Sequence, residues 1–165
     1  MKQTKKSSPA KKIAIVVNES KRTSLIEWSY FNREILSQHE IISYEATAGL
    51  LKGTLNKQIH TLAGTDSDGN RELAQMILRG SVDILIMLID GGKAKNGFGM
   101  SDLLAIATEK NIIIACNQAT ADLVVTSLYS TGVNESDLSP RPFNYTEDGP
   151  YSTNKQGLKH LRFAS

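Results

Sequence analysis

The sequence predicts an α/β protein, a three-layer sandwich around a five-stranded, mainly parallel sheet. Three observations carry that prediction. Short β-branched runs alternate with helical patterns, which implies βαβ units. The runs KIAIVV at Lys12–Val17 and VDILIMLI at Val82–Ile89 are almost continuously apolar, as parallel strands covered on both faces are. The chain of 165 residues suffices for one domain with a sizeable core, without disulfides or metals.

The elements follow in order. Lys12–Val17 is the first strand, and Asn18-Glu19-Ser20-Lys21-Arg22 is a turn. A helix starts near Ser24, where Ser24 and Glu27 have capping-box spacing. Leu25, Ile26, Trp28, Phe31, Ile35 and Leu36 carry its apolar repeat. Glu40–Tyr44 is the second strand, Ala48–Leu55 a short helix and Gln58–Leu62 the third strand. The polar stretch Gly64–Asn70 reads as a loop, followed by a helix over Arg71–Arg79 with Gly80 as its stop. Val82–Ile89 is the fourth strand, Asp90–Gly99 a Gly-rich loop and Asp102–Lys110 a helix. Ile112–Cys116 is the fifth strand and Ala119–Leu128 the next helix. The predicted division is a basic, disordered tail over 1–11, a folded domain over 12–130 and an irregular extension over 131–165, with one short helix near Leu158–Leu161.

Composition excludes several classes of function. Cys116 is the single cysteine, so no internal disulfide framework or multi-Cys metal site exists. The three histidines, His39, His60 and His160, are scattered, and no metal site is expected. No apolar run reaches the roughly 18 residues of a membrane span. The net charge is +2, yet the first twelve residues hold five lysines and no acid, so the remainder is slightly acidic. Five charges without a folded basic face bind weakly, and nucleic acid is not expected as a partner. The tail lacks the apolar core of a secretory signal, and the expected location is the cytoplasm.

In open parallel sheets, ligands bind beyond the carboxyl ends of the strands. That rule selects Asn18–Arg22, Glu45–Gly49, Gly64–Asn70, Asp90–Gly99 and Asn117–Thr120. The histidines fall elsewhere: His39 ends the first helix, where a cation suits the dipole, His60 lies inside the third strand, and His160 is in the extension. Cys116 reads as a small buried residue.

From Lys12 to Leu128 the chain resembles the methylglyoxal synthases. The resemblance rests on KIAIVV with its polar turn and on the Trp28 helix running to REILSQHE. It also rests on ATAG at Ala46–Gly49, AG at Ala63–Gly64, VDILIMLID at Val82–Asp90 and NIIIACNQATADLVVTS at Asn111–Ser127. It implies a homohexameric carbon–oxygen lyase that converts dihydroxyacetone phosphate to methylglyoxal and phosphate, without metal or organic cofactor. In that family an Asp removes the proton beside the carbonyl and a His acts as electrophile and proton donor. Hydroxyls, glycine N–H groups and a Lys hold the phosphate.

The departures fall at the chemical positions. Asn18 replaces the family's His; an amide donates a hydrogen bond but transfers no proton near neutral pH. Arg22 matches the family's Lys and suits phosphate. Thr47 and Gly49 match phosphate-binding positions, but Glu45 brings a carboxylate. At an effective dielectric near 20, a like charge 4 Å away costs about 4 kcal/mol. Gly64 matches a family glycine, and Asn70 falls at the position of the base. Asp68, two residues before it, is the substitute base. The stretch DSDGN lacks the downstream Glu of a calcium loop and reads as a turn. Asp90 matches a family Asp, while Lys93 and Lys95 enter a loop that has lost the family's second His.

The expected catalytic residues are therefore Asp68 and Asp90, and the expected ligand-binding residues Asn18, Arg22, Thr47, Gly49, Gly64 and Asn70. The favoured function is binding of a small phosphorylated or anionic metabolite, with weak or no catalysis, by a homo-oligomer. An active synthase using Asp68 and a partner-binding structural protein are the alternatives. Such binding has precedent, since the same fold serves as the allosteric domain of carbamoyl-phosphate synthetases.

Overall fold

The computed structural model describes residues 9–63, 66–90 and 99–129. Gly64, Lys93, Lys95, His160 and the predicted helix near Leu158–Leu161 lie outside the described residues. Five strands form one sheet: β1 (Lys12–Val17), β2 (Glu40–Tyr44), β3 (His60–Leu62), β4 (Ile84–Leu88) and β5 (Ile113–Ala115). Their order is β3-β2-β1-β4-β5, and every neighbouring pair is parallel. A 3₁₀ turn over Glu19–Lys21 leads into α1 (Arg22–Phe31), and α2 (Arg33–Leu36) follows. The remaining helices are α3 (Glu45–Leu55), α4 (Asp66–Leu78), α5 (Met100–Glu109) and α6 (Gln118–Tyr129).

Alternate residues of each strand face opposite layers, and this builds the sandwich. Ile13, Ile15 and Val17 of β1, with Ile84, Ile86 and Leu88 of β4, pack against Leu25 and Trp28 of α1, Leu36 of α2, Leu51 of α3 and Val125 of α6. Ala14, Val16, Leu85 and Met87 pack the other way, against Leu73 and Ile77 of α4 and Leu103 of α5. The α/β three-layer prediction holds. β1 has β2 on one side and β4 on the other, so the chain changes direction of winding between β1 and β4. A crevice at the carboxyl ends of those two strands is the ligand position of such sheets.

Helix ends follow local chemistry. Gly80 takes φ +72 after α4; its N–H bonds to the Ile77 carbonyl, and the Ser81 N–H bonds to the Met76 carbonyl at 2.8 Å. This is a Schellman stop, as the sequence predicts. Asn111 makes the same stop after α5, at φ 53.

Several expectations are corrected. The first helix is broken at Asn32, whose side-chain Nδ2 competes for the Trp28 carbonyl at 2.9 Å. No capping box forms at Ser24, because the 3₁₀ turn runs straight into α1 at Arg22. Glu45–Gly49 and Asp66–Asn70 are helical rather than loops, so α3 and α4 start earlier than predicted. β3 and β5 are shorter than predicted, and Cys116, just past β5, is exposed rather than buried. His60 begins β3 and is exposed. His39 is no helix-end cation: it is buried, and burial first, then the nearby charges of Lys57 and Lys11, hold its pKa below the ordinary histidine value, with Asp83 opposing.

Candidate functional site

The crevice is built from the turn after β1 and the end of β4. Val17 pairs with Leu88, and the Asn18 N–H donates to the Leu88 carbonyl at 3.2 Å. The 3₁₀ turn closes with the Lys21 N–H on the Asn18 carbonyl at 2.9 Å. This winding presents Asn18 and Ser20 to Asp90. Asn18 Nδ2 donates to Asp90 Oδ1 at 2.8 Å, and Ser20 Oγ donates to Asp90 Oδ2. Both carboxylate oxygens are therefore engaged by neutral donors. A carboxamide and a hydroxyl can orient a carboxylate or a bound oxygen, but neither supplies a proton at neutral pH.

Arg22 sits on the same turn, at the start of α1. Its Nη1 lies 3.7 Å from Glu19 Oε1, in a solvent-exposed pair. Such a pair contributes little, so the guanidinium can turn to an arriving anion at small cost. Beside the turn a shallow hollow of about 90 Å³ is lined by Lys21, Ser24, Leu88, Ile89, Asn117 and Gln118. Asn117, one of the predicted loop residues, caps α6: its Oδ1 accepts from the Thr120 N–H and from Thr120 Oγ1, each at 2.9 Å.

The other half of the site lies on the β2 and β3 side. α3 begins directly after β2, with exposed Glu45 in its first turn, Thr47 buried and Gly49 exposed. A carboxylate at that position suits the helix dipole. α4 carries Asp68, exposed, and Asn70, only 4% exposed, in its first turns. Asn70 Oδ1 accepts a hydrogen bond from the Tyr44 phenol. The Ala63 N–H donates to Glu72 Oε2 at 2.9 Å, tying the end of β3 to α4.

The structure thus brings Asn18 and Asp90 into contact and puts Arg22 on the same turn. Thr47, Gly49, Asp68 and Asn70 stand after the neighbouring strands at the same edge. Sequence reasoning missed Ser20 and Tyr44, the partners of Asp90 and Asn70. Ser20 was legible as a hydroxyl in the turn after a strand. Tyr44 had no signal, because its role depends on where α4 begins. Among the described residues no group of three His, Cys, Asp or Glu side chains is placed to hold a metal, and no helix is long and apolar enough to cross a membrane.

Gly69 carries a packing requirement of this half. A Cβ there would lie 2.7 Å from Cδ1 and Cε1 of Tyr44. Tyr44 is buried and held at its hydroxyl, so the ring cannot easily give. Overpacking of this kind costs about 1–3 kcal/mol, offset by up to about 1 kcal/mol of helix propensity. Gly69→Ala is expected to lose about 1–2 kcal/mol in urea unfolding; an equal or raised midpoint would refute the close approach.

No protein-family model matches the chain. The methylglyoxal synthase of Yersinia enterocolitica is 33% identical over 123 residues, covering 74% of this chain and 81% of its own. The chain belongs to the methylglyoxal synthase family. The methylglyoxal synthase of Pseudoalteromonas atlantica is 30% identical over 127 residues, covering 76% of this chain and 94% of its own. A crystal structure of the Elizabethkingia anophelis methylglyoxal synthase superimposes with a TM-score of 0.64 at 24% identity, covering 72% of this chain and 78% of that one. That likeness bears on the fold, and it agrees with the parallel sheet and its two helical layers. Within the methylglyoxal synthase fold, this chain sets a carboxamide against Asp90 and a buried carboxamide against Tyr44.

Proposed function

We propose that this member of the methylglyoxal synthase family binds a small phosphorylated or anionic metabolite at the carboxyl edge of its sheet, with weak or no conversion of it. The observation that carries the reading is the Asn18–Asp90 hydrogen bond: an amide stands where the family resemblance implies a proton-donating His. Asn70, at the position of the base, supports it. What remains suits binding: Arg22, Lys21 and the N-termini of α3, α4 and α6 all lie at this edge. The reading extends to a cytoplasmic homohexamer without metal or organic cofactor. Exposed Phe31 on α1 and Leu123 on α6 support self-association, which the mass in size-exclusion chromatography checks.

The second reading is an active synthase using Asp68. It is favoured by the exposure of that carboxylate in the first turn of α4. Thermal unfolding with dihydroxyacetone phosphate or inorganic phosphate tests the binding reading. At 100 times its Kd, a ligand of the folded state stabilises by about 2.7 kcal/mol. Arg22→Ala is expected to weaken this binding roughly tenfold or more, the value of a charge-assisted hydrogen bond. Absence of stabilisation by either anion would overturn the proposal in favour of a partner-binding protein.

A further inference from the structure

The amino edge of the sheet, opposite the site, holds a titratable group that the binding reading does not use. His39 lies between α2 and β2 with 6% of its surface exposed. The Lys11 N–H donates to its Nδ1 at 3.1 Å, and the Glu40 N–H donates to the Lys11 carbonyl at 2.9 Å. Consecutive residues thus hold both backbone polar groups of the residue that leads into β1. An accepting Nδ1 places the single ring proton on Nε2. Nε2 is buried and has no hydrogen-bond partner among the described residues. The imidazole is neutral and only half satisfied, a state that burial makes costly to keep without a purpose.

The surrounding charges favour the neutral ring. Lys57 Nζ donates to the Ser37 carbonyl at 3.0 Å and to the carbonyl of His39 itself. Lys57 and the Lys11 side chain both oppose protonation of His39, and Asp83, just before β4, favours it. Asp83 also holds the next residue independently. Its Oδ2 accepts from the Lys12 N–H at 2.7 Å, and its own N–H donates to the Lys12 carbonyl at 2.9 Å.

We propose that His39 is an acid-released latch on the start of β1, closed while its Nδ1 accepts the Lys11 amide and open when Nδ1 carries a proton. A proton on Nδ1 faces the Lys11 N–H, two donors meet and the bond is lost, while Lys12 stays held by Asp83. The latch governs how Lys11, the residue just ahead of β1, is held to the start of β2. Burial and the two lysines put the folded pKa below the ordinary value of 6.5. The latch's contribution to stability is therefore full above 6.5 and is lost as pH falls below it.

An NMR titration of the full chain from pH 8 to 5 tests this. The His39 ring is expected to titrate below 6.5. Protection of the Lys11 amide, corrected for intrinsic exchange, is expected to fall roughly three- to tenfold with it. The Lys12 amide is expected to keep its protection. His39→Asn keeps an acceptor near the place of Nδ1 and removes the titration, so Lys11 protection is expected to become independent of pH. The proposal is overturned by a His39 pKa at or above 6.5, or by Lys11 protection that stays constant through the titration. It is equally overturned by an unchanged pH dependence in His39→Asn. The wild-type titration decides by itself if that variant does not fold.

Discussion

Dihydroxyacetone phosphate incubated with this protein is expected to yield methylglyoxal roughly 10⁴-fold or more slowly than with the Yersinia enterocolitica synthase at equal concentration. The family's reaction needs a base to take the proton beside the carbonyl and an acid to protonate the enediol. Each such group contributes about 10²–10⁴ in rate. At the two positions that the family resemblance assigns to those groups, this chain has amides. Asn18 is engaged with Asp90, and Asn70 lies buried under the Tyr44 phenol. Asp90, whose two oxygens accept from Asn18 and Ser20, is set as an acceptor and orienting group. Methylglyoxal and phosphate release, followed together, measure the rate. Turnover within tenfold of the Yersinia enzyme that disappears in Asp68→Ala would show that Asp68 is a relocated base. Asn18→His combined with Asn70→Asp is expected to raise the rate at least about tenfold, since it returns both proton-transfer groups.

The fold was legible because its signal is repeated. Ile13, Ile15 and Val17 alternate with Ala14 and Val16, and both sets are buried, which only a sheet covered on two faces explains. Gly80 and its Schellman stop were legible because a positive φ selects glycine locally. The site was legible only in part. The turn Asn18–Arg22 follows directly from the end of β1, so its place at the carboxyl edge came from topology. The Asp66–Asn70 segment misled, because Asp, Ser, Gly and Asn favour turns while all four of them here open a helix. What decides between the two is Tyr44, whose ring rests against Gly69 and whose hydroxyl meets Asn70. Those contacts join residues 25 and 26 positions apart, and a local pattern holds no trace of them. His39 misled for a related reason. A helix-end position suggests a cation, yet burial first, and then Lys57, which eighteen residues on occupies the carbonyls there, favour the neutral imidazole.

Asn70→Asp alone is expected to cost on the order of 3 kcal/mol of stability at pH 8, and clearly less at pH 5. The substitution conserves shape but turns the amide donor into an acceptor, so the difference between the two pH values, rather than the loss at either, isolates the charge. Asn70 is 4% exposed, and ionising a carboxyl group there removes it from water. The Tyr44 phenol can donate one hydrogen bond to either form, which offsets part of that loss. Burial raises the folded pKa of the new carboxyl above its unfolded value near 3.9. A raised pKa means the folded state binds the extra proton, so stability is retained at low pH and lost as pH rises through the folded pKa. Urea unfolding at pH 5 and pH 8 measures the difference; an equal loss at both values would refute the buried charge. Tyr44→Phe added to Asn70→Asp is expected to deepen the loss at pH 8, because the phenol's hydrogen bond to the carboxylate is gone. The same change that would return a base to this position therefore loads a charge onto a pocket shaped for an amide. Tyr44, Gly69 and Asn70 form one packed unit, and a carboxylate at position 70 would work as a base only if that unit let it ionise. This ties the loss of the matched base to the packing between β2 and α4, not to residue 70 alone.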